Sequence, residues 1–322
     1  MDTEITLPTT LEEAILKFAD KLYAHDVAVS FVWPDGEPTC HHCGSKNAHF
    51  LKEYLRFRCR TCRKDFTVKT GTIFEDSPLP LSKWMTAVWM IVNAKNGISS
   101  WELHRALGFT QKTAWFVLHR IRHAMKTGSF QKFSGTIEAD ETFVGGKESN
   151  KHKNKKLNQG RGSVGKAVVM GVLERGKDGR KSQVQAKVVK DTKAKTLKPQ
   201  VQRYVEVGSY VYTDAHGGYT ALRDEYEHAF IDHAVTYAQG VVHTNGLENF
   251  WSLLKRGLKG TYVAVMPFHL MRYVDEQAFR FNNREFNDGE RFGLAMCQVS
   301  GKRLDYATLT TENADDRDPF GV

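Results

Sequence analysis

Thr136-Ile137-Glu138-Ala139-Asp140-Glu141-Thr142-Phe143-Val144 alternates in character along its length and ends at Gly145-Gly146, so it reads as a strand with two different faces. Glu138, Asp140 and Thr142 point to one side; Ile137, Ala139 and Phe143 point to the other. Downstream the chain keeps to short elements. Strand-forming stretches cover 167–173 and 184–189, a helix lies near 194–205, and Tyr210-Val211-Tyr212-Thr213-Asp214 runs into Ala215-His216-Gly217-Gly218-Tyr219. Strands interleaved with helices predict an α/β domain over 134–301.

Two of these strands end in the same way. Asp140 and Asp214 each sit on an apolar strand beside a glycine turn, a placement that is costly unless the carboxylate is paired or metal-bound. A third acid lies in His243-Thr244-Asn245-Gly246-Leu247-Glu248-Asn249-Phe250-Trp251, where a helix fits from Leu247 onwards. Leu247, Phe250, Trp251, Leu254 and Leu258 make its apolar stripe, and Glu248, Ser252, Lys255 and Lys259 an adjoining polar one. Glu248 therefore sits at the edge of the buried face. Lys255 follows about 10 Å along the axis, within reach of a DNA phosphate. Each acid alone reads more simply as a solvated surface group. Together, three carboxylates on two strand ends and one helix can bind two divalent ions about 4 Å apart, one activating the attacking water or 3′-hydroxyl and the other stabilising the leaving oxygen. Mg²⁺ or Mn²⁺ suits such hard oxygen ligands.

Upstream lies a cysteine module over 35–76. Cys40, Cys43, Cys59 and Cys62 follow C-x2-C-x15-C-x2-C, a spacing in which each pair closes a tight turn and aims two thiolates at one point. Four protein ligands leave no open position for water, so this Zn²⁺ is structural. Phe50, Tyr54, Leu55 and Phe57 between the pairs read as strand residues, which makes the module a zinc ribbon. Arg56, Arg58, Arg60, Arg63 and Lys64 give it a basic surface. Residues 1–34 precede it with a short amphipathic helical pattern on Leu11, Ala14, Ile15, Phe18 and Leu22.

Residues 77–130 read as helices throughout. Ser99 is placed to cap one, Gly108 to end it, and Thr110 to cap the next, which buries Ala114, Val117, Leu118, Ile121 and Ala124. A short helix, a glycine turn and a capped following helix form a helix-turn-helix pattern, whose last helix would offer Gln111, Lys112 and Thr113 to a major groove. A plain helical bundle would look the same.

Charge points the same way. Of 322 residues, Lys and Arg exceed Asp and Glu by nine, and the pI is 9.2. Such a surplus favours a polyanionic partner. Much of it falls in a loop over 147–166, with Lys151, Lys153, Lys155, Lys156 and Arg161, which cannot form a core and is expected to order along a DNA backbone or stay solvated. An acidic tail, 302–322, carries Asp305, Glu312, Asp315, Asp316 and Asp318 and has too little apolar content for a core of its own. The N-terminus is polar and the apolar stretch around Ala87 to Ala94 is too short to span a bilayer, so a soluble cytoplasmic, nucleoid-associated protein without a membrane partner is expected.

The ribbon, the Asp140–Gly146 stretch, Thr213-Asp214-Ala215-His216 and the run from His243 through Trp251-Ser252-Leu253-Leu254-Lys255-Arg256 resemble the DDE-type insertion-sequence transposases, specifically the ISXO-like kind with an N-terminal zinc ribbon. The resemblance covers roughly 38–283 and is most specific in the last run. It implies a ribonuclease-H-like mixed sheet with flanking helices. It also implies movement of an element by a cut-and-paste or replicative route, and recognition of that element's terminal inverted repeats. Asp140, Asp214 and Glu248 take the three catalytic positions, and Lys255, with Arg256 and Lys259 beside it, takes the DNA-binding position downstream. Some members place Asn or His at the third position, so Asn245 or His243 could share that role. His216 and His243 are candidate helpers at the scissile phosphate, or loop histidines bonded for structure. The partners implied are double-stranded DNA, as element ends and target, and a homo-oligomer of at least two chains, because synapsis joins two ends. A transposase-derived DNA-binding regulator and a metal-dependent nuclease without strand transfer are the competing readings.

Overall fold

The computed structural model describes residues 5–126, 131–146, 165–214, 217–231 and 242–311, and the chain divides into two units, Met1–Lys126 with Phe286–Val322, and Thr127–Glu285. In the first unit, α1 (Leu11–Ala19) starts on Thr10, whose side chain accepts from the Glu13 N–H, and α2 (Lys21–Val32) starts on Asp20, which accepts from Leu22 and Tyr23. The cysteine module follows as an antiparallel sheet in the order β1 (Ala48–Leu51), β2 (Arg56–Cys59), β3 (Asp65–Phe66). Phe57 pairs with Phe66 across β2 and β3, and Trp33 lies edge-on to both rings.

Three helices come next: α3 (Leu81–Asn93), α4 (Ser100–Leu107) and α5 (Gln111–Met125). Buried residues occur all round α3, which makes it the axis of this unit. The caps fall where the residue types place them. Ser99 and Glu102 form a capping box, Gly108 ends α4 at φ +68°, and the Thr110 hydroxyl accepts from the Thr113 N–H.

The second unit is a five-stranded mixed sheet in the order β6-β5-β4-β7-β8. Its elements are β4 (Thr136–Val144), β5 (Ala167–Glu174), β6 (Gln183–Val189), α6 (Ala194–Tyr204), β7 (Tyr210–Asp214), β8 (Glu227–Ile231), α7 (Asn245–Gly257) and α8 (Leu270–Asn282). β4, β5 and β6 form an antiparallel meander; β7 and β8 run parallel to β4 after the α6 crossover. Side chains alternate across this sheet, so it has two cores. Ile137, Ala139, Met170, Val172 and Val211 pack against α6 and a 3-10 helix at Gly217–Leu222. Val169, Leu173, Val184 and Ala186 pack against α7 and α8. A three-layered mixed sheet of this order, with β4 central, is the ribonuclease-H-like arrangement that the sequence predicts.

The end of the chain departs from expectation. The α/β domain is predicted to run to 301, but from Phe286 onwards the chain groups with the first unit. There α9 (Asp288–Met296), opened by an Asn287–Glu290 capping box, buries Phe292 against Phe18 and Trp89. The described part of the acidic tail is also packed. In α10 (Tyr306–Thr310) Leu309 is fully buried and Tyr306 lies against Phe116 of α5. The physical reason is local: Lys302 donates to the carbonyls of Ala124 and Lys126 at the end of α5, Arg303 pairs with Asp76 at 2.7 Å, and Asp305 caps α10. Few apolar residues suffice when polar groups fix the segment at three points.

Candidate active site and zinc ribbon

The pairing of β4 with β7 brings two predicted acids side by side. Ala139 pairs with Thr213, and the next residues along these parallel strands are Asp140 and Asp214. Neighbouring strands are about 4.8 Å apart and paired residues face the same way, so both carboxyls lie on the α7 side of the sheet. Asp140 accepts a 2.9 Å bond from Trp251 Nε1. Burial pushes its carboxyl up to about 7, against the lowering effect of the Trp251 bond, and the nearby charges of Glu141 and Asp214 push the same way as burial.

α7 lies over these strand ends because two glycines let it. A Cβ on Gly171 of β5, which pairs with Asp140, would stand 2.8 Å from the Trp251 ring. A Cβ on Gly246 would stand 2.8 Å from Glu138 Oε2. Glu248 is half-buried on this helix. Lys255, two turns on, is also half-buried; burial lowers its ammonium, as does neighbouring Lys259, while Asp140 acts in the opposite direction. Arg256 and Lys259 are exposed. Among the described residues, the three predicted acids do not close into a common metal shell: the group of His, Cys, Asp or Glu ligand atoms that meet within 4.8 Å is the cysteine set.

His243 and Asn245 have distinct surroundings. His243 Nδ1 faces the Arg175 guanidinium at 2.8 Å and the Asn245 N–H at 3.4 Å. The Glu138 carboxylate Oε1 also lies 3.5 Å from this ring nitrogen. The Asn245 side-chain oxygen is buried and has no hydrogen-bond partner among the described residues. His216 and the loop residues Lys151, Lys153, Lys155, Lys156 and Arg161 lie outside the described residues.

Sequence reasoning missed the partners of this site. Trp251 reads as core, yet its indole N–H holds Asp140. Glu138 reads only as a face-mate of Asp140, yet it is buried, with Arg175 Nε at 2.8 Å and the Leu247 N–H at 3.0 Å on its carboxylate. The available signal was a carboxylate in phase with Asp140 between Ile137 and Ala139, which requires a buried partner. That the partner is Arg175 follows only from the sheet register.

In the ribbon, Cys40 and Cys62 sulfurs lie 3.7 Å apart, and those of Cys43 and Cys59 3.6 Å. A regular tetrahedron of ~2.3 Å Zn–S bonds has edges of about 3.8 Å, so the four thiolates fit one structural zinc. The two knuckles share a backbone pattern. Gly44 at φ +72° donates to the Cys40 carbonyl, and Arg63 at φ +61° to the Cys59 carbonyl. Of the predicted basic surface, Arg58 is engaged by Asp65 at 2.7 Å and Arg56 lies 3.7 Å from the same carboxylate.

At the start of α5, Gln111 Nε2 donates to Ser100 Oγ, which ties the two helices together. Thr113 joins Thr110 in the cap, and exposed Lys112 lies over the Tyr306 ring at 4.7 Å. No described helix is long and apolar enough to cross a membrane.

Comparison with known proteins agrees with this architecture. Residues 132–282 match the ISXO2-like transposase domain, and residues 23–65 the transposase zinc-ribbon domain. A relative in Halobacterium salinarum, described as an uncharacterized protein in transposable element ISH50, is 25% identical over 257 residues, spanning 76% of this chain and 85% of that protein. A four-cysteine transposase zinc ribbon thus stands ahead of an ISXO2-like DDE transposase domain, and that sheet domain is a polynucleotidyl transferase.

Proposed function

We propose that this transposase binds the terminal inverted repeats of an insertion sequence and catalyses metal-dependent strand cleavage and strand transfer through Asp140, Asp214 and Glu248. The observation that carries the reading is the adjacency of Asp140 and Asp214 on one face of the sheet beneath the helix that bears Glu248. The residues fit divalent cations. Burial and two neighbouring acids disfavour charge on Asp140, which a cation would offset, and Asn245 adds at the start of the same helix a buried hard oxygen without a hydrogen-bond partner among the described residues. Asp140, Asp214 and Glu248 would hold Mg²⁺ or Mn²⁺. The ions supply activation of a water or 3′-hydroxyl and charge stabilisation on the leaving oxygen.

The chain's own groups do the rest. Trp251 orients Asp140 by donating to its carboxylate Oδ2. Lys255 presents its ammonium on the Asp140 side of α7, where it neutralises a DNA phosphate beside the cut; exposed Arg256 and Lys259 extend that track. Gln111, Lys112 and Thr113, the ribbon, and the loop with Lys151, Lys153, Lys155, Lys156 and Arg161 contribute to holding double-stranded DNA. Joining two ends calls for at least two chains.

The test incubates the protein with a labelled element end, target DNA and Mg²⁺ or Mn²⁺. Metal-dependent cleavage followed by joining is expected, and Asp140→Asn or Asp214→Asn should abolish both while leaving end binding within about twofold. Hydrolysis without joining would instead make the chain a nuclease, and binding with no cleavage a regulator.

A further inference from the structure

Helix α7 carries Glu248 on its first turn, yet its N-cap residue Thr244 makes no side-chain cap bond, and the His243 ring before it reaches the first N–H, that of Asn245, at 3.4 Å. The first N–H groups of a helix have no partner within it. Here the Leu247 N–H, third in the helix, donates to Glu138 Oε2 at 3.0 Å. A carboxylate from a sheet strand thus does the work that a capping residue of the helix would do, and its negative charge meets the positive end of the helix dipole.

Glu138 is itself held. It is 1% exposed, and its other oxygen, Oε1, accepts from Arg175 Nε at 2.8 Å. Arg175 follows β5, its own N–H donating to the Thr136 carbonyl, and its Nη2 reaches the His243 carbonyl and Nδ1, both at 2.8 Å. The guanidinium also lies over the Tyr212 ring at 5.1 Å. One buried ion pair therefore fastens both the helix start and the segment that leads into it. Gly246 is required for this approach, because a Cβ there would meet both Glu138 oxygens, at 2.8 and 3.2 Å.

We propose that Glu138 is the positioning residue for Glu248: with Arg175 and Gly246, it fixes the first turn of α7 so that the Glu248 carboxyl is presented to the cations held by Asp140 and Asp214. The inference rests on the two-metal reading above. Glu138 shares the strand face of Asp140 and could be mistaken for a ligand, but both its oxygens are engaged, one by an arginine and one by the helix.

Three variants, Glu138→Gln, Gly246→Ala and Glu248→Gln, test it by two measurements on the full chain without DNA: amide hydrogen exchange across α7, and Mn²⁺ binding by calorimetry. Glu138→Gln and Gly246→Ala should each speed exchange of the first turn, at Leu247 above all, at least tenfold and weaken Mn²⁺ binding about tenfold, with the strands of the sheet as protected as before. Glu248→Gln should weaken Mn²⁺ binding without speeding exchange. Gly246→Ala keeps both Glu138 and Arg175, so it serves should Glu138→Gln fail to fold. Weakened Mn²⁺ binding with unchanged exchange in Glu138→Gln would make Glu138 a ligand and overturn the proposal, as would unchanged exchange and binding together. If the wild-type chain binds no Mn²⁺, the two-metal reading fails, while the exchange arm still decides whether Glu138 holds the helix.

Discussion

Asp140 is a carboxyl placed where its charge is unwelcome. Its usual pKa of 3.8 is pushed up to about 7, burial being the largest cause. Below the unfolded value the group is protonated in both states, and its contribution to stability is fully present. As pH rises through that value the unfolded chain gives up its proton while the folded chain keeps it, so stability falls until about pH 7 and stays lowered above it. Two results are therefore expected from thermal unfolding of the second unit. Mg²⁺ should raise its Tm more at pH 8 than at pH 6, because the cation offsets a charge that exists only at the higher pH. Asp140→Asn, in which the amide oxygen can still accept from Trp251, should raise the metal-free Tm at pH 8 by several degrees and remove the Mg²⁺ response. An Asn variant no more stable than wild type at pH 8 would show that Asp140 is not strained by its surroundings.

At the scale of elements, the strands and caps were legible and the contacts between elements were not. Alternation marks β4, and Ser99, Gly108 and Thr110 mark the ends of α4 and α5, because these signals act within a few residues. β8 has no such mark: Glu-His-Ala-Phe-Ile is a short edge strand whose pairing with β7 follows from the crossover. Asp140, Asp214 and the helical setting of Glu248 could be named from local pattern, while Trp251, Arg175 and Gly171 act through register over distances the pattern does not span. Gly171→Ala puts this to the test. Its Cβ would overlap the Trp251 ring, so α7 must lift off β5, and a loss of about 1–3 kcal/mol is expected by denaturant unfolding together with loss of cleavage. Gly260→Ala, where a Cβ meets nothing within 4 Å, should cost under about 1 kcal/mol. For the ribbon, Cys59→Ser should release one zinc per chain, measured by metal analysis, and weaken end binding; an unchanged footprint would remove the ribbon from DNA recognition.

At the scale of the whole molecule, the chain leaves its first unit at Lys126, builds the sheet, and returns at Phe286 to complete the first unit with α9 and α10. The ring of Phe292 sits at the centre of that return, within 5.3 Å of Phe18, 5.8 Å of Trp89 and 6.5 Å of Phe31. The unit that carries the ribbon and the capped helices α4 and α5 is therefore unfinished until the C-terminal helices are made. Phe292→Ala opens a cavity among aromatic side chains and should destabilise this unit by about 3–5 kcal/mol. Trp251 alone among the six tryptophans belongs to the second unit, so intrinsic fluorescence follows mainly the first. In the variant the fluorescence transition should fall to lower denaturant, while Mn²⁺ binding to the sheet domain, measured below that transition, keeps its wild-type affinity. DNA binding should be lost at the denaturant concentration where fluorescence changes. If Mn²⁺ affinity fell in step with the fluorescence, the two units would be one cooperative structure, and the return of the chain would stabilise the catalytic sheet as much as the first unit.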